Sequence, residues 1–451
     1  MLAGGLYFFP DLFTFAQIFA TKMDRRDFLK GMAAAGAAVC VPAGVAGVLA
    51  STCTGPRKAA PASGAWDFDE LIDRSGTWSI KYGRATNGEI PMWIADMDFR
   101  TDPFVREALQ KRLERDVLGY TSTPEAFYEA VAAWEAAVHD FPVEREWVGY
   151  APGVITGINQ AYLCFTQPGD KIIIQPPVYD HFRLYIERLG RVAVDNPLIL
   201  EDGHYRMDLE GLERLIDERT KALVLCNPHN PVGICWDRET LAALAEICER
   251  RGVIVISDEI HGDLSLWGRS HCPFCHASDA AKRIGVLIAG PTKAFNLAGL
   301  TGTAFCIIPD AQKRERYLGA LSAAKLSEPA IPTIEAVLAA YREDTSWLEA
   351  LKQYIQGNIE RVEQIFAEHR VGIVPMRPQA SFLVWLDCRA LGLPQEDLMN
   401  FFRERAKVIP SNGAGYGAGG EGFIRLNVGC PRATLNEALK RILDALEGLH
   451  S

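Results

Sequence analysis

Basic residues are in the minority: 47 lysines and arginines face 57 aspartates and glutamates, leaving a net charge of −10 and a pI near 5.5. No long basic run occurs after the first 60 residues, so nucleic acid is excluded as the main ligand. No segment repeats at a solenoid period, and no low-complexity tract is extensive. The cluster His271-Cys272-Pro-Phe-Cys275-His276 lacks a second cysteine pair at zinc-finger spacing. It reads as a loop holding two thiols, and no metal is expected. In an oxidising compartment those two thiols could pair. The chain has eleven cysteines, and Cys164, Cys226, Cys248, Cys306 and Cys388 lie in apolar runs as small core residues.

What is present is an ordinary globular composition. The chain has 451 residues, 48% hydrophobic and 23% charged, long enough for two domains or for one large and one small. Near the N-terminus, Asp24-Arg-Arg-Asp-Phe-Leu-Lys30 precedes a mildly apolar stretch, Gly31 to Ala50. Paired arginines before such a stretch resemble a twin-arginine export signal. The alternative is a membrane anchor, but alanine and glycine contribute little to insertion, so no stable membrane span is expected. Translation is read as starting at Met23. Cys53 follows Ala50-Ser-Thr, a poor match to a lipoprotein box. Residues 51–65 are rich in Ala, Pro, Ser and Gly and read as a linker to a mature domain beginning near Trp66.

Beyond residue 105, apolar β-branched runs alternate with helical patterns. Lys171 to Gln175, Ala222 to Cys226, Val253 to Ser257, Val286 to Ala289 and Thr303 to Ile308 read as strands. Phe104 to Val117, Ala126 to His139, Thr240 to Arg250, Ile334 to Arg342 and Ser346 to Glu368 read as helices. The fold class is therefore α/β, with a mainly parallel sheet covered by helices on both faces and a smaller α/β unit at the C-terminal end. In such sheets ligands bind at the carboxyl ends of the strands.

Three polar motifs fall just past successive strands. Cys226-Asn-Pro-His-Asn-Pro-Val-Gly233 offers two asparagine amides. Ser257-Asp-Glu-Ile-His261 puts Asp258 at a strand end, where a helix cap is the alternative role. Gly290-Pro-Thr-Lys-Ala-Phe-Asn-Leu-Ala-Gly-Leu300 sets Lys293 among small and apolar residues. Burying an ammonium is costly. A lysine joined as a Schiff base to an aldehyde cofactor avoids that cost; otherwise Lys293 is a surface lysine after a strand.

This set resembles the aspartate aminotransferase superfamily of pyridoxal 5′-phosphate (PLP) enzymes, the class I/II aminotransferases of fold type I. In detail it is similar to the cystathionine β-lyase-like C–S lyase branch, of the MalY/PatB type. The resemblance rests also on Pro91-Met-Trp-Ile-Ala-Asp-Met-Asp-Phe99, Pro177-Val-Tyr-Asp-His-Phe182 and Phe423-Ile-Arg-Leu-Asn-Val-Gly-Cys-Pro-Arg432, and covers roughly residues 66 to 448. With the twin-arginine-like signal read over 1–50 and the linker over 51–65, the resemblance implies a small domain built from 66–105 and 331–451. A large PLP-binding domain spans 106–330.

The resemblance also implies roles. Lys293 is the Schiff-base lysine and the base for the substrate's α-proton. Asp258 faces the pyridine nitrogen and keeps it protonated. Asn230 donates to the cofactor's phenolic oxygen. His261 stands where many relatives carry a tyrosine for that same oxygen; packing is its alternative. Tyr179 stacks on the pyridine ring. The backbone of Gly153, Val154 and Ile155 holds the phosphate at a helix start. Thr292 adds a hydroxyl contact, whereas Gly290 replaces the serine many relatives have there. Tyr120 reaches the phosphate of a neighbouring subunit, which makes the enzyme a homodimer with shared active sites. Arg425 grips the α-carboxylate of a small amino-acid substrate. Thr301, eight residues after Lys293, stands where aminotransferases often have an arginine.

The implied reaction is α,β-elimination from cystathionine or a cysteine S-conjugate, giving pyruvate, ammonia and a thiol. An aminotransferase is the alternative, because it uses the same core residues. A third reading is a regulatory binding protein of the same fold; Lys293, Asp258 and Arg425, all intact, and export all argue against it.

Overall fold

Short apolar runs set the strands of a central sheet, and the computed structural model describes residues 66–86 and 88–448. The export signal, the linker, Met23 and Cys53 lie outside the described residues. The first strand, β1 (Ile90–Pro91), is followed by β2 (Val148–Ala151), β3 (Lys171–Ile174) and β4 (Val192–Asp195). A hairpin of β5 (Ile199–Glu201) and β6 (His204–Arg206) precedes β7 (Thr220–Cys226), β8 (Ile254–Asp258), β9 (Gly285–Ala289) and β10 (Ala304–Ile307). The last strands are β11 (Val374–Met376), β12 (Leu383–Asp387), β13 (Val408–Ile409), β14 (Ser411–Asn412) and β15 (Phe423–Asn427).

Seven strands form one sheet in the order β2-β10-β9-β8-β7-β3-β4. The run from β9 to β4 is parallel throughout. β10 is antiparallel to both neighbours. The reason lies in the connection: residues 290–303 contain no helix, and a parallel return needs a crossover, usually helical. β7, β9 and β10 are almost wholly buried, as their unbroken apolar runs require. The second sheet is antiparallel, in the order β11-β12-β15-β14. Its β15 is buried along its whole length, with Trp385 of β12 stacked on Phe423 at 5.1 Å. β1 and β13 pair separately.

The helices follow their apolar periodicity. The longest, Ser346–His369, buries Leu351, Ile355, Ile359, Val362 and Phe366, a spacing of three to four residues. Its Asn358 is also buried, and Nδ2 donates to the carbonyls of Val428 and Cys430, tying the helix to the segment that leaves β15. The helix Pro103–Leu113 starts on an Asp102 cap with proline at its first position. It stops short of Val117, and Asp116 adopts a left-handed φ of 56° just beyond.

One register detail positions the site. Asp258 lies opposite Cys226 on one side and Ile288 on the other. The ends of β7, β8 and β9 are therefore level, and the loops carrying Asn230, His261 and Lys293 leave the sheet together. Ala151 pairs with Ala304 beside them, which brings the start of the next helix to the same edge.

Candidate active site

These loops and β15 enclose a cavity of about 890 Å³. Gly153, Val154, Ile155, Tyr179, Asn230, Asp258, His261, Thr292, Lys293 and Arg425 all line it. Of the site residues expected from the sequence, Tyr120 does not. It is fully exposed, beside exposed Val117 and Leu118.

Lys293 leaves the sheet just past β9, and its Nζ donates to the carbonyl of Ala95 at 2.7 Å. Burial, then the charge of Arg425, lowers its pKa to about 8, against the opposing pull of Asp96 and Asp258. The free amine that a base or nucleophile requires is therefore far more populated near neutrality than in an ordinary lysine, at about a tenth of the whole. Asp258 is buried at the end of β8. Burial raises its pKa to about 7, opposed by the Ile260 N–H and by Lys293. That N–H donates to Oδ1 at 3.1 Å, and Oδ2 has no partner among the described residues. His261 is buried next to them. Burial, then Lys293 and Arg425, lowers its pKa to about 3, so its ring is neutral, and its Nδ1 has no partner among the described residues.

Arg425 is buried on β15, opposite Trp385 on one side and Ser411 on the other. Its Nη1 donates to Asn230 Oδ1 at 2.9 Å, and its Nη2 to the Trp93 carbonyl at 2.8 Å and Ser411 Oγ at 3.1 Å. Its Nε has no partner among the described residues. The bond to Arg425 orients Asn230, whose amide N–H groups have no partner among the described residues. The Tyr416 ring lies 5.1 Å from the guanidinium.

Gly153 caps the helix Val154–Phe165 with φ 110° and no side-chain hydrogen bond. A φ in that range favours glycine. The first-turn amides are left without a side-chain acceptor, which makes this end receptive to an anion. Thr292 lines the cavity, but its hydroxyl is already engaged by the Thr303 carbonyl and hydroxyl.

Gly290, where a serine was the family expectation, is closed to any side chain. A Cβ there would sit 2.3 Å from the Thr303 carbonyl oxygen and 2.9 Å from Ala304 Cα. These are backbone atoms and cannot swing away. Gly290→Ser is therefore expected to destabilise the protein by about 1–3 kcal/mol, the typical cost of overpacking. Urea unfolding of the purified variant measures it.

Several residues at the site were not anticipated. The segment 93–99 is strapped down on all sides. Asn296 bonds Met97 through both its amide atoms and also donates to the Phe99 carbonyl, and Asn427 donates to the carbonyls of Ile94 and Asp96. Lys81 is buried against Asp98 at 2.7 Å. The asparagines stood in the motifs, and only their partners were illegible. Glu259 was also passed over. Its carboxylate accepts from Ser257 Oγ and the Phe274 N–H and pairs with His271 Nε2 at 2.6 Å. That pins the loop following Asp258 and gives His271 its role. The rest of the His271 to His276 cluster points elsewhere: the His276 ring lies 5.1 Å from Phe141, and Cys275 Sγ faces the Ile307 carbonyl. Cys272 and Cys275 are both free thiols.

Residues 90–442 match the family model described as aminotransferase class I and II, and the chain belongs to that family. Its curated relatives include the cystathionine beta-lyase PatB of Bacillus subtilis, 41% identical over 84% of this chain and 100% of the relative. Protein MalY of Escherichia coli is 34% identical over 85% of this chain and 100% of its own length. Among solved structures, cystalysin from Treponema denticola, which contains a pyridoxal 5′-phosphate cofactor, superposes with a TM-score of 0.82 at 31% identity. That match covers 85% of this chain and 99% of cystalysin. Residues 22–42 match the signal sequence of the twin-arginine translocation pathway, which supports export. Among the described residues no helix is long and apolar enough to cross a membrane.

Proposed function

We propose that the chain is a PLP-dependent C–S lyase, which cleaves cystathionine or a cysteine S-conjugate to pyruvate, ammonia and a thiol. The observation that carries this is the meeting of Lys293, Asp258 and Arg425 in one buried cavity at the ends of adjacent strands. Relatives named as cystathionine β-lyases support the choice of reaction.

The cavity fits the cofactor on its own donors and acceptors. The uncapped amides of Val154 and Ile155, set by Gly153, would hold the phosphate. Lys293 would hold the aldehyde carbon. Asp258, with one oxygen unpartnered, would meet the ring nitrogen, and a cation there would draw its proton away. Asn230 and His261 would serve the phenolic oxygen, and Tyr179 would cover one ring face. Thr292 would reach the phosphate only by giving up its bond to the Thr303 carbonyl. Once bound, the cofactor supplies an electron sink for charge that develops at the substrate's Cα.

The chain's own groups do the rest. Arg425 binds the α-carboxylate, using a guanidinium that Trp93 and Ser411 hold in place. That contact fixes which bond at Cα faces Lys293. The Lys293 amine, with its lowered pKa, takes the α-proton. Loss of the β-carbon's sulfur then follows.

Tyr120, exposed in the single chain with Val117 and Leu118, is proposed to reach the phosphate of a second copy in a homodimer. The signal over 22–42 supports a periplasmic or cell-envelope site of action. Twin-arginine export of an already folded protein suits an enzyme that takes up its cofactor first. The test is steady-state turnover of cystathionine by residues 66–451. Equal release of pyruvate, ammonia and homocysteine is expected. Consumption of cystathionine without pyruvate would overturn the reading.

A further inference from the structure

We propose that Arg84 selects substrates whose leaving thiol carries a carboxylate. The proposal deepens the lyase reading above and rests on it. The charged side chains lining the cavity are Arg84, Asp180, Asp258, Lys293, Arg403 and Arg425. Under the lyase reading most of them are committed. Lys293 goes to the cofactor, Asp258 to its ring nitrogen and Arg425 to the α-carboxylate. Asp180 Oδ1 pairs with His181 Nδ1 at 2.8 Å. Arg403 Nε donates to Glu89 Oε1 at 3.0 Å, and the buried Glu89 carboxylate also takes the Thr86 N–H. Glu89 thus offsets the charge of Arg403. Arg84 is left over. Its guanidinium lies 4.5 Å from the centre of the Trp93 ring. Among the described residues no carboxylate pairs with it and no acceptor takes its N–H groups.

Trp93 fixes where this spare guanidinium stands. The indole Nε1 donates to the Lys81 carbonyl at 3.1 Å, and Lys81 is itself buried against Asp98. The Trp93 carbonyl accepts from Arg425 Nη2 at 2.8 Å and from Ser411 Oγ at 2.7 Å. One anchored residue therefore touches both guanidiniums, Arg425 at its backbone and Arg84 at its ring. Arg84 stands about one tryptophan side chain from the α-carboxylate clamp. A cysteine thioether whose thiol half ends in a carboxylate has a comparable reach between its two acid groups.

The surroundings favour an anion at that point. The pairing of β1 with β13 sets Glu89 against Arg403, so the segment 84–93 brings both arginines to one side of the cavity. Both are exposed, whereas Arg425 and Asp258 are buried. The two arginines share one carboxylate, which leaves a surplus positive charge where solvent meets the cavity. A guanidinium fork matches a carboxylate in shape and charge. A neutral alkanethiol half would meet no group there that needs it. The homocysteine half of cystathionine carries the required carboxylate, and so do the conjugates of carboxyalkyl thiols.

The test compares S-(2-carboxyethyl)cysteine with its neutral amide, S-(2-carbamoylethyl)cysteine, on the PLP-loaded enzyme. The two differ little in size, so the ratio of their kcat/KM values reads the charge. The unmodified enzyme is expected to prefer the acid about 10-fold, the low end for a hydrogen bond to a charged group. Arg84→Gln should bring the ratio close to one, and Arg84→Lys should keep part of the preference, because the ammonium retains the charge without the fork. Arg403→Gln should narrow the ratio by less. An unmodified enzyme that treats both conjugates alike, or an Arg84→Gln variant that loses equally on both, would overturn the assignment. So would a preference that follows Arg403 alone. A weakened affinity of Arg84→Gln for PLP would give the arginine to the cofactor's phosphate and overturn it too. In each of these cases pyruvate from either conjugate leaves the lyase reading intact. An unmodified enzyme that makes pyruvate from neither would overturn both.

Discussion

Replacing Lys293 with alanine is expected to abolish the visible absorption of the cofactor-loaded protein and to lower turnover of cystathionine at least about 10⁴-fold, the upper end of what one positioned base supplies. Two roles are lost together, because the same amine is proposed to hold the cofactor and to take the α-proton. The fold should survive. Among the described residues Lys293 Nζ makes a single hydrogen bond, to the Ala95 carbonyl, and removing a buried amine also relieves its desolvation. Absorption spectra and circular dichroism of the variant check both halves. A variant that keeps its visible band would move the cofactor's attachment elsewhere.

Arg425→Ala should cost about 2–5 kcal/mol in kcat/KM, the range for truncating one partner of a buried charge pair, or about thirty- to several-thousand-fold. The guanidinium is proposed to grip the α-carboxylate, and it also organises the wall around it. Without it, Asn230 Oδ1 loses its donor, and the Trp93 carbonyl keeps only Ser411 Oγ. Arg425→Lys should recover only part of the loss, since an ammonium cannot reproduce the two-pronged contact. Cofactor binding should persist in both with the visible band retained, and the loss should appear as a raised KM together with a lowered kcat, because the same guanidinium aims the Cα–H bond and helps lower the Lys293 pKa. Steady-state kinetics across a range of cystathionine concentrations measures it.

The parallel core of the sheet was legible because β7, β8 and β9 are buried on both faces and so are written as unbroken apolar runs. The strand Val148–Ala151 was not, because its sequence Val-Gly-Tyr-Ala carries only one β-branched residue. The antiparallel sense of β10 was hidden as well. It depends on whether the connection from β9 folds as a helix, and Gly290 to Thr303 does not.

The residues that line the cavity could be named because each stands just past a strand in a short motif. Their partners could not. Glu259 is adjacent to Asp258 yet turns away, to His271 from twelve positions further on. Arg425 meets Asn230 across 195 positions. Side-chain pairs of that separation leave no periodic trace. The same holds for His181: the motif showed the residue, but only the structure sets its ring on Tyr179 and its nitrogen on Asp180.

The central claim is that the chain eliminates sulfur from its substrate and does not exchange its amino group. A single-turnover experiment addresses it most directly. The PLP-loaded protein is mixed with substoichiometric cystathionine, and pyruvate and the amine form of the cofactor are counted. The account predicts one pyruvate per cystathionine consumed and an unchanged cofactor. Conversion of the cofactor to its amine form without pyruvate would contradict it and make the protein an aminotransferase.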